Sequence, residues 1–180
     1  MHNPYQAPAA PVGEIRQSTV PLFFPVSITK LLVLSICTLG LYEIYWFYKN
    51  WQLVKRRENS NINPALRSLF GVLFCYSLFR RVGEQVESHN NKSIPAGLLA
   101  AGWIVLTLLW KLPDPYWLLT FLAVFFMVPV QQAVNSINSQ AARGHDQNRR
   151  FGGWNIAAVI IGGLILALAI IGTFLPPEQA

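Results

Sequence analysis

The sequence predicts an all-α protein: a polytopic bundle of membrane helices. Three observations carry this. Of 180 residues, 53% are hydrophobic and only 12% charged, about half the charged share of a soluble domain. The apolar residues fall in blocks long enough to approach the ~20 residues needed to cross a bilayer. The basic residues, which give a net charge of +6, stand beside those blocks, as the positive-inside rule requires. The same placement argues against nucleic acid, whose ligands concentrate charge on a soluble face.

Residues 1–24 read as a disordered tail rich in proline and alanine, without periodicity. Asn3-Pro4-Tyr5 within it has the form of a short docking motif. No cleavable signal peptide is expected, because Pro21 and Pro25 interrupt the approach to the first apolar run. Residues 25–180 form the helical membrane domain. Its first span is placed near 26–48, with Lys30 snorkelling outward from one end and Gly40 allowing a kink or a close contact.

Asn63-Pro64 has the form of a helix start, asparagine capping and proline in the first turn. The helix that follows, over 64–89, is ambiguous. Its uncharged stretch between Arg67 and Arg80 covers only about 20 Å of a hydrocarbon core near 30 Å. It is an interfacial helix, a re-entrant piece or a fifth span. Further spans are placed near 94–110, 116–134 and 154–175. Two prolines flank Asp114 in the turn between the second and third, and Pro129 is expected to kink the third. Gly163 and Ala167 form a weak small-residue packing pattern in the last.

Lys49 to Lys92 and Arg143 to Arg150 are basic, whereas the 111–116 turn carries only Lys111. With the four spans alone crossing, both basic regions share the cytoplasmic side and both termini lie outside. Alternatively the ambiguous helix crosses, or the 26–48 segment is re-entrant and the tail stays inside.

The stretch after Thr38 concentrates the informative residues. Tyr42, Tyr45, Trp46, Tyr48 and Trp51 are amphipathic aromatics of the kind that gather at headgroup depth. Lys55, Arg56 and Arg57 follow, suited to anionic lipid phosphates. Glu43 stands alone among apolar residues, with Arg67, Arg80 and Arg81 as possible ion-pair partners. These residues make a basic and aromatic cytoplasmic face for anionic lipid or for another membrane protein. Gln131, Asn135 and Asn138 share one helix face. They form either a hydrogen-bonding stripe for a ligand or partner, or the solvated exit of a helix.

The run Thr38-Leu39-Gly40-Leu41-Tyr42-Glu43-Ile44-Tyr45-Trp46 resembles the signature T-x-G-[IL]-Y-x-x-Y-W of an uncharacterised bacterial family of multi-span inner-membrane proteins, a domain of unknown function, 4234-like. The resemblance covers Ile28 to Val82. It implies a small multi-pass protein of the bacterial cytoplasmic membrane and supplies no activity, cofactor or catalytic residue.

No enzyme site is expected. His2, His89 and His145 lie in separate polar segments, Cys37 and Cys75 lie in apolar runs, and no metal-ligand spacing joins them. His145-Asp146 reads as a solvated pair rather than a dyad. No nucleophile motif or phosphate-binding loop occurs, and no cofactor is expected. The bilayer is the expected partner. The alternative function is a small transporter or channel using Glu43, with Cys37 and Ser35 along its path.

Overall fold

A computed structural model of the chain describes residues 20–90, 93–142 and 144–175. The expected tail motif at Asn3 lies outside these residues. Every regular element among the described residues is helical. They are α1 (Ile28–Cys37), α2 (Leu41–Glu58), α3 (Pro64–Leu69), α4 (Gly71–Asn90), α5 (Ala96–Leu108), α6 (Ala123–Ala141) and α7 (Gly153–Phe174). Two 3-10 segments, Leu109–Lys111 and Tyr116–Leu122, join α5 to α6.

The segment expected as one span over 26–48 is two helices. Leu39 (φ 51°) and Gly40 (φ 85°) are left-handed, a backbone that glycine adopts freely and that no α-helix continues through. Thr38 fixes the break from both sides. Its hydroxyl donates to the Leu34 carbonyl (2.6 Å) and accepts from the Tyr42 amide (3.0 Å), closing α1 and capping α2. With ten residues, α1 is only about 15 Å long. The two helices form a hairpin whose tip is 38–40.

Contacts along the chain place that tip. Lys30 donates to Asn148 and to the Arg150 carbonyl, just before α7 begins. Seven residues on, Cys37 and Thr38 lie against Gly162, near the middle of the 22-residue α7. So α1 runs alongside the first half of α7, and α2 returns from its midpoint. Arg57 at the end of α2 donates to the Leu22 carbonyl at 2.8 Å, which closes the hairpin at its base.

The remaining elements share that polarity. Arg81 of α4 pairs with Glu58 at the same base, and Asn138 of α6 binds the backbone of Leu22 and Phe23 there. At the opposite, distal end, Trp117 donates to Thr173 at 3.0 Å, and the two 3-10 segments pack together. Hence α5 rises from base to distal end, α6 descends and α7 rises.

Asn63 accepts from the Ala65 and Leu66 amides with Pro64 in the first turn, as the sequence predicts. The helix then breaks again at Phe70, so the ambiguous segment is a short α3 followed by α4. Two helices are long and apolar enough to cross a membrane, Tyr116–Ala141 and Gly153–Phe174. The expected crossing near 26–48 does not have that length, because of the break at Leu39-Gly40, and α5 is a shorter apolar helix.

Candidate functional sites

Three groups of polar side chains stand out, and the fold separates them. The first is an amide clamp at the base. Residues 22–26 run between α2 and α6 with no helix or strand to satisfy their backbone, and Phe23, Phe24 and Val26 are buried. Buried peptide groups must find partners. Asn138 accepts from the Leu22 and Phe23 amides (2.9 and 3.2 Å) and donates to the Phe23 carbonyl (2.8 Å). Asn50 accepts from the Phe24 amide at 3.0 Å. Gln131 donates to the Phe24 carbonyl and to Asn135, and accepts from the Trp46 indole at 2.6 Å. Asn135 donates to the Val26 carbonyl. The stripe on α6 is therefore spent on the chain's own backbone. A sequence reading that looked outward, to ligand or solvent, lacked this possibility because the clamped segment lies more than a hundred residues away.

The second group is basic and lies at the same end. The face of α2 that repeats at three and four residues, Tyr42, Glu43, Trp46, Phe47, Asn50, Trp51 and Val54, is buried. Trp46 and Trp51 are wholly buried, so these two and Tyr42 are core aromatics rather than the interfacial ones expected; Tyr45 is exposed. Arg67 lies over the Trp51 ring at 4.5 Å, and Arg81 at 5.7 Å. Arg81 also holds Glu58 through two hydrogen bonds of 3.0 and 3.2 Å, which lower the Glu58 pKa below the usual carboxylate range. Arg80 pairs with Glu84 one turn on. Lys55 and Arg56 are exposed and make no hydrogen bond or ion pair with the described residues. They edge an open polar groove of about 540 Å³ with Tyr48, Gln52, Asn59 and Asn61. Lys30, expected to snorkel outward, is 2% exposed, because Asn148 and Arg150 fold over it.

The third group lies at hairpin-tip depth. Glu43 is 8% exposed and accepts from the Trp103 indole at 2.7 Å. None of the three arginines expected to pair with it does so; they are held at Trp51, Glu58 and Glu84. Glu43 borders a mainly apolar cavity of about 500 Å³ between the hairpin tip, the α3–α4 break, α5 and the start of α6. Ser35 and Thr107 line it too, and their buried hydroxyls have no hydrogen-bond partner. Cys37, placed with Glu43 and Ser35 on an ion path by the sequence, does not line this cavity.

Residues 26–113 match a family model described as a domain of unknown function (DUF4234). They are a domain of this family. No curated protein and no solved structure matches the chain. The DUF4234 domain holds the hairpin, the basic groove and both partners of the Glu43–Trp103 bond. The amides of α6 lie outside it and clamp its N-terminal edge. Trp103 is the residue that sequence reasoning missed. Inside an apolar run its side chain reads as core packing, and only the fold brings the indole to Glu43.

No group of three or more potential metal ligands occurs among the described residues. His145 turns to the Ala142 carbonyl and Asp146 to the Asn148 amide, so the two form no dyad.

Proposed function

We propose that this chain is a multi-pass protein of the bacterial inner membrane, non-enzymatic, whose basic cytoplasmic end binds anionic lipid headgroups. The observation that carries it is the separation of charge along the bundle. Among the described residues, Lys111 alone of the lysines and arginines stands at the distal end; the rest lie toward the base. Basic residues stay on the cytoplasmic side.

The exposure of α7 supports a bilayer around the bundle. A soluble core helix of such hydropathy would be buried, yet only 6% of its apolar window is covered. Leu164, Leu168 and Phe174 stand more than 60% exposed, a surface that water does not tolerate in bulk. In this arrangement α5 with its 3-10 extension, α6 and α7 cross. The α1–α2 hairpin and α3 enter from the cytoplasm and return. The N-terminal tail is inside and the C-terminus outside. The α5 crossing measures about 25 Å, a shortfall that a thinned bilayer absorbs at small cost. Leu66, Leu69, Phe70 and Leu73 are exposed on α3 and α4, an apolar surface that faces acyl chains beside the hairpin in this arrangement, while Arg67 stays over Trp51 nearer the base.

Labelling of single cysteines tests the arrangement after Cys37 and Cys75 are replaced. Cysteines at Asn61 and Ser93 are expected to react with an impermeant reagent only in opened cells, and one at Asp114 in intact cells. Labelling of Asn61 or Ser93 from outside sinks this topology.

The headgroup is expected in the groove of Lys55 and Arg56, which pair with none of the described residues, with Tyr48 and Gln52 able to hydrogen-bond phosphate oxygens. Each cation contributes about 1 kcal/mol near an anionic surface. Replacing both by glutamine is expected to abolish the rise in thermal midpoint between phosphatidylcholine and phosphatidylglycerol nanodiscs, while leaving the phosphatidylcholine value unchanged. A double variant that still responds fully to phosphatidylglycerol removes this site from consideration.

A further inference from the structure

We propose that the cavity beside Glu43 and Trp103 is a binding site for a lipophilic primary amine that enters from the bilayer. Three features of the site define that chemistry.

The first is charge. Glu43 stands at the depth of the hairpin tip, and no lysine, arginine or histidine lines the cavity. Its Oε2 accepts from Trp103, while Oε1 has no hydrogen bond to the described residues. Burial makes an unpaired carboxylate costly, so a cationic donor that compensates it is favoured there and an anion is not. The same lack of basic residues excludes a phosphate-bearing head, so the ligand is a free amine rather than an aminophospholipid.

The second is the set of idle hydroxyls. Ser35 is 2% exposed, and the Ser35 and Thr107 hydroxyls are buried without partners on the wall of the same cavity. Unpaired buried polar atoms are uncommon in native proteins, and each calls for a reason. A ligand head supplies one. An ammonium group carries three N–H donors; Glu43 Oε1 takes one, and the Ser35 and Thr107 hydroxyls, which expose almost no surface to the cavity as it stands, take the others only by turning about χ1 toward it.

The third is the shape and the mouth. A volume of about 500 Å³ falls within the range of small-molecule pockets. The rest of the wall is apolar, including Phe47, Phe121 and Val124. At its rim Leu41, Leu69, Phe70 and Trp110 are all more than half exposed. In the bilayer these rim residues face acyl chains, so the ligand arrives through lipid and carries an apolar body.

Three eight-carbon probes separate the contributions: octylamine, octanol and octanoate. Each is titrated against the full chain in phosphatidylcholine nanodiscs, and the thermal midpoint is followed at equal membrane-bound concentration. Octylamine is expected to stabilise the protein at a concentration about tenfold lower than octanol, the scale of one charge-assisted hydrogen bond, and octanoate not at all. Glu43→Gln is expected to erase the preference for the amine. Equal responses to octylamine and octanol, or an undiminished amine preference in Glu43→Gln, overturn the proposal. Should the variant not fold, a photoreactive octylamine analogue on the unaltered chain decides. Labelling concentrated on α2 around Glu43 and on α5 around Trp103 supports the site. Labelling confined to the exposed face of α7 refutes it. Neither result depends on the lipid groove at Lys55 and Arg56, which lies at the other end of α2.

Discussion

Asn138→Leu is expected to destabilise the fold by about 3–5 kcal/mol, since it strands several buried polar groups at ~1–3 kcal/mol each. The Asn138 side chain serves the Leu22 amide, the Phe23 amide and the Phe23 carbonyl. Leucine keeps the branched outline and removes every one of these bonds. Neither water nor a neighbour replaces them readily, because Asn138 and Phe23 are wholly buried. The loss is also local in its consequence. Residues 22–26 are held at the base by hydrogen bonds to side chains, so releasing one end uncovers Phe23 and frees the Leu22 carbonyl from Arg57. Two measurements check this. The unfolding free energy, followed by denaturing-detergent titration, falls by the stated amount. Protease sensitivity near Val20 to Ser27 rises before global unfolding. Ser139→Ala, one residue along on the exposed side of α6, is expected to change stability by less than about 0.5 kcal/mol. Equal behaviour of the two variants would mean that the amide clamp does not hold the fold together.

The contrast between these neighbours shows what the sequence made legible. That the chain is all-helical follows from apolar blocks punctuated by proline and polar turns, and helix starts such as Asn63-Pro64 could be placed to the residue. The helical spacing of Gln131, Asn135 and Asn138 was equally plain. Their task was not, because its partner is a backbone segment distant in sequence and without regular structure. The hairpin was hidden for a different reason. Residues 26–48 are mostly apolar, and hydropathy registers composition rather than direction. The reversal depends on two residues with positive φ and on one hydroxyl, Thr38, that serves two helices at once. Those residues stand in the very run that resembles the family signature. Each has a distinct task in this chain: Thr38 is the double cap and Gly40 the left-handed turn. The aromatics misled in turn. Tryptophan and tyrosine beside basic residues point to an interface, yet Trp46 and Trp51 share the buried face of α2, where only tertiary contacts decide their place.

Gly162→Ala is expected to cost about 1–3 kcal/mol, the range for forcing added volume into a packed contact. The opposite sign is expected at Gly163, one residue along the same helix. In an exposed helix alanine exceeds glycine by up to about 1 kcal/mol in propensity, so substitution gains wherever space is free. A methyl at Gly163 meets nothing within 4 Å. A methyl at Gly162 meets the carbonyl of Cys37 and the Cα of Thr38. These are backbone atoms of the hairpin tip and cannot swing aside as a side-chain end does. Relief requires α7 or the tip to move. The tip is tied at its base by Lys30 and Asn148, so movement opens it on the side where Ser35 and Gly40 line the Glu43 cavity. The two glycines thus separate close packing from mere flexibility. Gly162→Ala should lower the thermal midpoint in nanodiscs and weaken the octylamine response, and Gly163→Ala should do neither. Matching shifts in both variants would show that the tip does not rest against α7 at mid-helix.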